Sequence, residues 1–465
     1  MFLDLDKKEK SAVAAIDDTR ECITYGGLCA FAGEWRRLVP SRTLIFILAQ
    51  NSLGALAGYV ASLSTGVVPL MLNSRTDREL LDALIARYTP RYLWLPASQC
   101  EEFSYRPVYS RWGYSLLDTD LASPSLYNDL SLLLPTSGST GSSKLVRHSY
   151  RNIEANARNV SRLFALTSSE RAMAILPMYY TMGLSVVASH LYSGATLLLT
   201  SKSLTDKGFW SLLKEERATS FTGVPYSFEV LEKLRFFRME LPDLKIITQG
   251  GGKLSESLFL TCARYAADRG KQFIATYGQT EGTARMAYLP PEWALQKICS
   301  IGHAIPGGAL SLIDEEGREI EEPEATGEMV YRGENVTLGY AYGPLDLMKG
   351  DENGGLLHTG DLARRDRDGC YYILGRKGRF LKLYGLRVGL DECEHILKDA
   401  FGIECACVGN DSRMSIYITN PAYEERAKTL LVEKTHLIAS AFRVVCIHEI
   451  PKNEAGKTLF SQLEV

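Results

Sequence analysis

Short, unbroken apolar runs recur along the first two thirds of the chain. TLIFILA (residues 43–49) leads into a helical pattern near Ser52, and GVVPLML (66–72) follows it. Runs of the same kind stand at RYLWLP (91–96), AMAILP (172–177), ATLLLT (195–200), LKIITQ (244–249) and QFIATY (272–277). Continuous rather than alternating apolar strands, separated by helical patterns, predict a parallel sheet covered by helices. From about residue 300 the texture changes. Turn pairs such as DEEG, DENGG and DRDG separate the strand-like runs ALSLI, GEMVY and YYIL, predicting a small β-rich unit. After GRKGR (375–379) the pattern predicts helices near 390–400 and 422–433 and strands near 404–408, 414–419 and 443–448. The expected organisation is an α/β core over residues 1–300, a β-rich subdomain over 301–377, and a small α+β domain over 378–465.

The 465 residues, 46% of them hydrophobic and 23% charged, suffice for more than one packed core and are globular in character. The net charge of -3 provides no global field to recruit nucleic acid or an anionic membrane surface, so any bound anion needs a local site. Ten cysteines show no CxxC spacing and read as reduced, mostly buried residues. The seven histidines have no ligand-like spacing, so none is assigned to a metal. The start, MFLDLDKKEK, is charged where a secretory signal needs an apolar core, and no run reaches transmembrane length. A cytoplasmic enzyme without membrane insertion is the simplest expectation.

The densest chemical signal is SLLLPTSGSTGSSKLVRHS, residues 131–149, in which an apolar strand runs into Thr136, Ser137, Gly138, Ser139, Thr140, Gly141, Ser142, Ser143 and Lys144. Small residues let backbone amides approach phosphate oxygens, hydroxyls donate further bonds, and the lysine adds charge. A solvated Gly/Ser linker is the bland alternative, but a linker seldom follows a buried strand directly and ends in lysine. A Walker loop would need GxxxxGK[ST], and Lys144 sits between Ser143 and Leu145, so that spacing fails.

This loop resembles the signature of the adenylate-forming superfamily, which includes acyl-CoA synthetases, aryl-CoA ligases, luciferases and the adenylation domains of peptide synthetases. Further motifs follow in that family's order. LPMYYTMGL (176–184) resembles the segment lining the acyl pocket, QGGGKL (249–254) the glycine-rich strand end along adenine, and TYGQTEG (276–282) the YGxTE motif. HTGDL (358–362), GRKGRFLKLYGLRV (375–388) and PKNEAGK (451–457) resemble the ribose-binding, hinge and C-terminal lysine motifs.

The resemblance implies ATP and Mg²⁺ as cofactors, with Thr136, Ser137, Gly138, Ser139, Thr140, Gly141 and Lys144 on the phosphates. Gly250, Gly251, Gly252, Tyr277, Gly278, Thr280, Asp361 and Arg376 would hold adenine and ribose, with Tyr277 stacking on the base. Glu281 and Thr140 would ligate magnesium, and Lys457 would be the mobile catalytic lysine. Tyr179, Tyr180, Gly183, Val224 and Tyr226 would line the acyl pocket. Gly378 would be the hinge, and Gly385 and Arg387 would face the thiol acceptor. The chemistry agrees with these roles: a carboxylate attacking the α-phosphorus of ATP needs positioning and cations around an anionic centre.

Five positions depart from the common pattern. Ser143 and Leu145 flank the loop lysine, Tyr180 stands where histidine is frequent, Gly378 replaces an aspartate or lysine, and Phe460 follows Lys457 where a basic residue is common. The run MYYTMGLSV holds no acid to pair with a substrate amino group, which disfavours an α-amino acid. The expected reaction is activation of a small carboxylic acid to an acyl-adenylate with release of pyrophosphate, then acyl transfer to coenzyme A. A carrier-protein phosphopantetheine or an amine is the alternative acceptor, and a non-catalytic nucleotide binder is the competing reading from another class.

Overall fold

The computed structural model describes residues 1–465 apart from 136–143, 384–385, 411, 436, 454–455 and 464–465, with the backbone alone at 380, 382, 386 and 387. Every apolar run named above contributes to a strand. Leu44–Ala49, Val68–Asn73, Tyr92–Pro96 and Leu130–Pro135 form the parallel part of one large sheet. Arg171–Ala174, Thr196–Leu199, Ser220–Gly223, Ile246–Gln249 and Gln272–Tyr277 form the parallel part of a second.

The reason the runs are unbroken is visible in how their residues divide. Ile45 and Ile47 pack into a core shared with Leu197 and Leu199 of the second sheet and with the helices Leu53–Thr65 and Thr181–Ser193. Phe46 and Leu48, on the opposite face of the same strand, pack with Leu81 and Leu84 of the helix Arg78–Tyr88. In the second sheet Met173, Leu198 and Phe221 face Phe209 and Leu258 of the outer helices Lys207–Glu215 and Glu256–Asp268. Both faces of both sheets are therefore dry, and alternation is lost.

A separate antiparallel sheet follows, of Gly308–Ile313, Ala325–Gly333, Leu356–Arg365 and Tyr371–Arg376. The strand Leu356–Arg365 carries HTGDL, which composition alone reads as a turn. It is bulged there: the register against Ala325–Gly333 shifts between Glu328 and Val330, and Gly360 takes φ of +68°. One short segment of this region, Gly339–Ala341, leaves that sheet and pairs antiparallel with Leu145–Ser149, aligning Tyr340 with Val146.

The tail folds around its own core. Helices Leu390–Phe401 and Glu424–Thr435 cover the strands Cys405–Asn410, Arg413–Ile418 and Phe442–Cys446. Five of the ten cysteines are buried, fewer than expected, because Cys22 and Cys446 lie at exposed strand positions and three others are half-covered. No helix among the described residues is long and apolar enough to cross a membrane.

Candidate active site

The site lies where strands of the second sheet end, the usual place for a ligand in an open parallel sheet. Ile246–Gln249 runs into Gly250, Gly251 and Gly252, and Gln272–Tyr277 runs into Gly278 and the short turn Thr280–Gly282. Two of these glycines have steric reasons. Gly251 has φ of +82°, and a Cβ at Gly278 would stand 1.1 Å from the carbonyl oxygen of Ala284.

Asp361 is the centre of a polar cluster. It is 4% exposed, accepts from Nε2 of Gln279 at 2.8 Å, receives the Tyr277 hydroxyl, and pairs with Nε of Arg376 at 2.9 Å. Gln279 and Arg376 also donate to the carbonyl of Thr359, at 2.9 and 3.0 Å. Burial raises the Asp361 carboxyl above its ordinary value, with Arg376, Tyr277 and Gln279 opposing. Burial, with Asp361 beside it, pushes the Tyr277 phenol well up. Gln279, within the quoted YGQTE motif, was assigned no role by the sequence.

Glu281 and Lys144 are linked by a residue the sequence did not mark. The Tyr340 hydroxyl donates to Oε1 of Glu281 at 2.7 Å, and Nζ of Lys144 stands 4.0 Å from the centroid of the same ring. The pairing of Gly339–Ala341 with the strand after the glycine and hydroxyl loop puts Tyr340 there. The loop positions Thr136, Ser137, Gly138, Ser139, Thr140 and Gly141 lie outside the described residues, as do Gly385 and the side chain of Arg387.

Lys457 comes from the far end of the chain. Its Nζ lies 5.3 Å from the ring centroid of Tyr180. The tight turn that holds it is closed by bonds between Asn453 and Lys457, with Asn453 N–H donating to the Lys457 carbonyl at 2.8 Å and Oδ1 accepting at 2.9 Å. Gly456, with φ of +73°, rests against Tyr226, where a Cβ would come within 2.9 Å. Lys452 faces the Tyr226 ring at 5.0 Å.

The expected pocket residues divide accordingly. Val224 is buried with Leu176, Met182 and Ala284, and Tyr180 packs on that group. Gly183 lets its helix approach the Pro177 carbonyl, to which a Cβ would come within 2.2 Å. Tyr226 is not part of the group: it is 47% exposed and covers the C-terminal turn instead, because its helix, Pro225–Lys233, turns it outward. Tyr179 packs against the central core rather than on Val224. Gly378 lies in the turn after Tyr371–Arg376, where an added methyl would meet nothing within 4 Å, and it has no positive φ in this pose. The clasp on that turn is Asp391, which accepts from the Arg376 backbone N–H at 2.9 Å and pairs with Arg379.

The family described as AMP-binding enzyme matches residues 37–341, about two thirds of the chain. The chain belongs to the AMP-binding enzyme family. Curated relatives of this AMP-binding enzyme include an oxalate–CoA ligase of Arabidopsis thaliana, 27% identical over 71% of this chain and 66% of the relative. An indoleacetate–CoA ligase of Aromatoleum aromaticum is 29% identical over 70% and 65% of the two lengths. The chain thus spans just under two thirds of the length of these two. A 2-succinylbenzoate–CoA ligase of Bacillus cereus is 28% identical over 90% of the chain and 87% of the relative.

Among solved structures, O-succinylbenzoate coenzyme A synthetase from Bacillus subtilis in complex with AMP superposes with a TM-score of 0.81 at 20% identity, covering 99% of this chain and 98% of that one. ATP-bound MatB from Rhodopseudomonas palustris gives 0.80 at 22% identity, covering 98% and 96%. The AMP-binding enzyme described here shares their fold, a large N-terminal part and a small C-terminal one.

Proposed function

We propose that this chain uses ATP to activate a carboxylic acid as an acyl-adenylate, releasing pyrophosphate, and then passes the acyl group to the thiol of coenzyme A. One observation carries the reading: Lys457, from the C-terminal domain, stands 5.3 Å from the ring of Tyr180, which packs on the apolar group, while Asp361 and Glu281 are held by partners on the N-terminal side. A pure binder has no use for a lysine delivered from a separate domain. The curated CoA ligases among its relatives support the thiol acceptor.

The residues divide the work. Asp361, pre-aligned by Gln279, Tyr277 and Arg376, accepts from the ribose hydroxyls, a task suited to a carboxylate facing two vicinal donors. Gly250, Gly251, Gly252, Gly278 and Thr280 hold adenine beside Tyr277. Thr136, Ser137, Gly138, Ser139, Gly141 and Lys144 hold phosphates, and Lys457 places its charge beside the attacking carboxylate and the α-phosphate. Glu281, steadied by Tyr340, and Thr140 offer the hard oxygen donors that magnesium takes, and the ion would neutralise polyphosphate charge there. In the second half-reaction the C-terminal domain turns about Gly378, withdrawing Lys457 and bringing Gly385 and Arg387 to the site for the thiol.

Exchange of labelled pyrophosphate into ATP across a panel of acids tests the first half. Lys457→Ala should lower acid-dependent exchange by about 10²–10³-fold and leave the fold intact; exchange at the wild-type rate would remove the proposed mechanism. Pyrophosphate release measured with and without coenzyme A tests the second half, and release that ignores coenzyme A would move the acceptor to a carrier-protein phosphopantetheine or an amine.

A further inference from the structure

Tyr226 stands outside the apolar group that holds Val224, yet its place is fixed. It follows Pro225 in the first turn of the helix Pro225–Lys233, whose Phe228 and Leu231 are buried against the second sheet. The ring itself is 47% exposed and joins no apolar core among the described residues. An outward ring on an anchored helical turn does little for the packing of its own domain. Its partners come from the other end of the chain.

From Pro451 to Leu459 the chain folds back on itself. The Pro451 carbonyl accepts from the Leu459 N–H at 2.8 Å, Lys452 bridges antiparallel to Thr458, and Asn453 bonds to both Gly456 and Lys457. Ile450, just before, is buried with Ala406, Val408 and Tyr417, and Lys452 pairs with Glu404 at 2.9 Å, so this hairpin is tied to the C-terminal domain. Lys452, Gly456 and Lys457 therefore move as one body. Two of the three meet Tyr226: Nζ of Lys452 lies 5.0 Å from the ring centroid, and Gly456 is so close that an added Cβ would come within 2.9 Å of the Tyr226 Cβ. The third, Lys457, adjoins Gly456 and reaches Tyr180.

We propose that Tyr226 is a positioning residue for the adenylation half-reaction: its ring is the seat on which the C-terminal hairpin rests, and so it sets where Lys457 stands. A shift of the hairpin on the ring is carried to the lysine one residue away, and misplacing a reacting group by about 1 Å slows chemistry steeply. Val224, two residues before the seat, belongs to the apolar group, so one helix start fixes both a wall of that group and the resting place of the lysine. This rests on the ligase reading above and adds to it the residue that places its lysine.

The test is acid-dependent pyrophosphate exchange by the full chain, with kcat and the KM for ATP measured separately. Tyr226→Ala should lower kcat by about 10–100-fold, the scale of a small misplacement of a reacting group, with the KM for ATP and the ligand-free melting temperature unchanged. Tyr226→Phe, which keeps the ring, should stay within about twofold of wild type, and Lys452→Met, which keeps the stem but removes the charge, should lower kcat by about two- to fivefold. Combined with Lys457→Ala, Tyr226→Ala should lower exchange no further than Lys457→Ala alone, because the seat acts only through that lysine. Wild-type kcat in Tyr226→Ala, or a loss that adds in full to that of Lys457→Ala, would overturn the inference while leaving the ligase reading standing. Should Tyr226→Ala fail to fold, Lys452→Met decides in its place, and an unchanged kcat there would overturn the inference. Absence of exchange by the wild type with every acid would overturn both.

Discussion

Substituting Gly278 by alanine puts a methyl carbon 1.1 Å from the Ala284 carbonyl oxygen and 2.3 Å from its carbon. No rotamer relieves this, since Cβ has none, so the backbone must part by about 2 Å to restore contact distance. The two hydrogen bonds that straddle the site, Ala284 N–H to Gln279 and Met286 N–H to Tyr277, at 3.0 and 2.8 Å, are lost in that movement. Each contributes about 1 kcal/mol net. Overpacking adds about 1–3 kcal/mol, for a total of about 3–5 kcal/mol. Because Tyr277, Gln279 and Ala284 move with it, ATP affinity should fall together with stability. Urea denaturation and calorimetric titration with ATP measure the two. Gly33→Ala is the control: Gly33 lies within the helix Tyr25–Leu38 with nothing within 4 Å of an added Cβ, and there the same methyl should stabilise by about 0.5–1 kcal/mol. Loss of less than about 1 kcal/mol in Gly278→Ala with ATP binding intact would refute the steric reasoning.

Three further outcomes are expected. Lys457→Ala should lower acid-dependent exchange by about 10²–10³-fold, the scale of removing one charge-stabilising group, with an unchanged melting temperature in the absence of ligand. Tyr340→Phe, which strips the hydroxyl 2.7 Å from Glu281, should raise the magnesium concentration needed for exchange by about 10–100-fold; an unchanged magnesium requirement would show that Tyr340 does not steady that carboxylate. Asp361 is raised above 3.8 by burial, so the folded ligand-free chain holds this proton more tightly than the unfolded one. Its contribution to stability is then lost as pH rises from the unfolded value through the raised folded one. Asp361→Asn should remove that loss, narrowing the gap to wild type or reversing it at neutral pH, whereas a variant that loses stability relative to wild type as pH rises across this window contradicts the assigned direction.

How much was legible in the sequence depended on how local the determining interaction was. TLIFILA and LKIITQ could be read as buried parallel strands because an unbroken apolar run needs dry surface on both sides, and the helices between them carry matching faces. The tail elements, from Leu390–Phe401 to Phe442–Cys446, were readable for the same reason. The motif residues Asp361, Glu281 and Lys457 were recognisable as words whose order along the chain carried meaning, although each alone resembles a turn or surface residue.

What only the tertiary structure decided is which distant side chains meet. Tyr340 reaches Glu281 and Lys144 because a three-residue strand pairs with Leu145–Ser149 across nearly two hundred positions, and strand pairing of that range leaves no periodicity. HTGDL reads as a turn, yet lies in a bulged strand because the partner strand Ala325–Gly333 supplies the ladder. Tyr226 is a pocket residue by resemblance, and only the structure shows that its helix directs it toward the C-terminal turn. Arg285 carried no signal at all. A charge just past a motif reads as surface, and only the convergence of Ser185, Thr222 and Phe164 around it enclosed the guanidinium. Hydrophobic pattern records whether a residue is buried; which layer covers it, and what stands opposite, is set by topology.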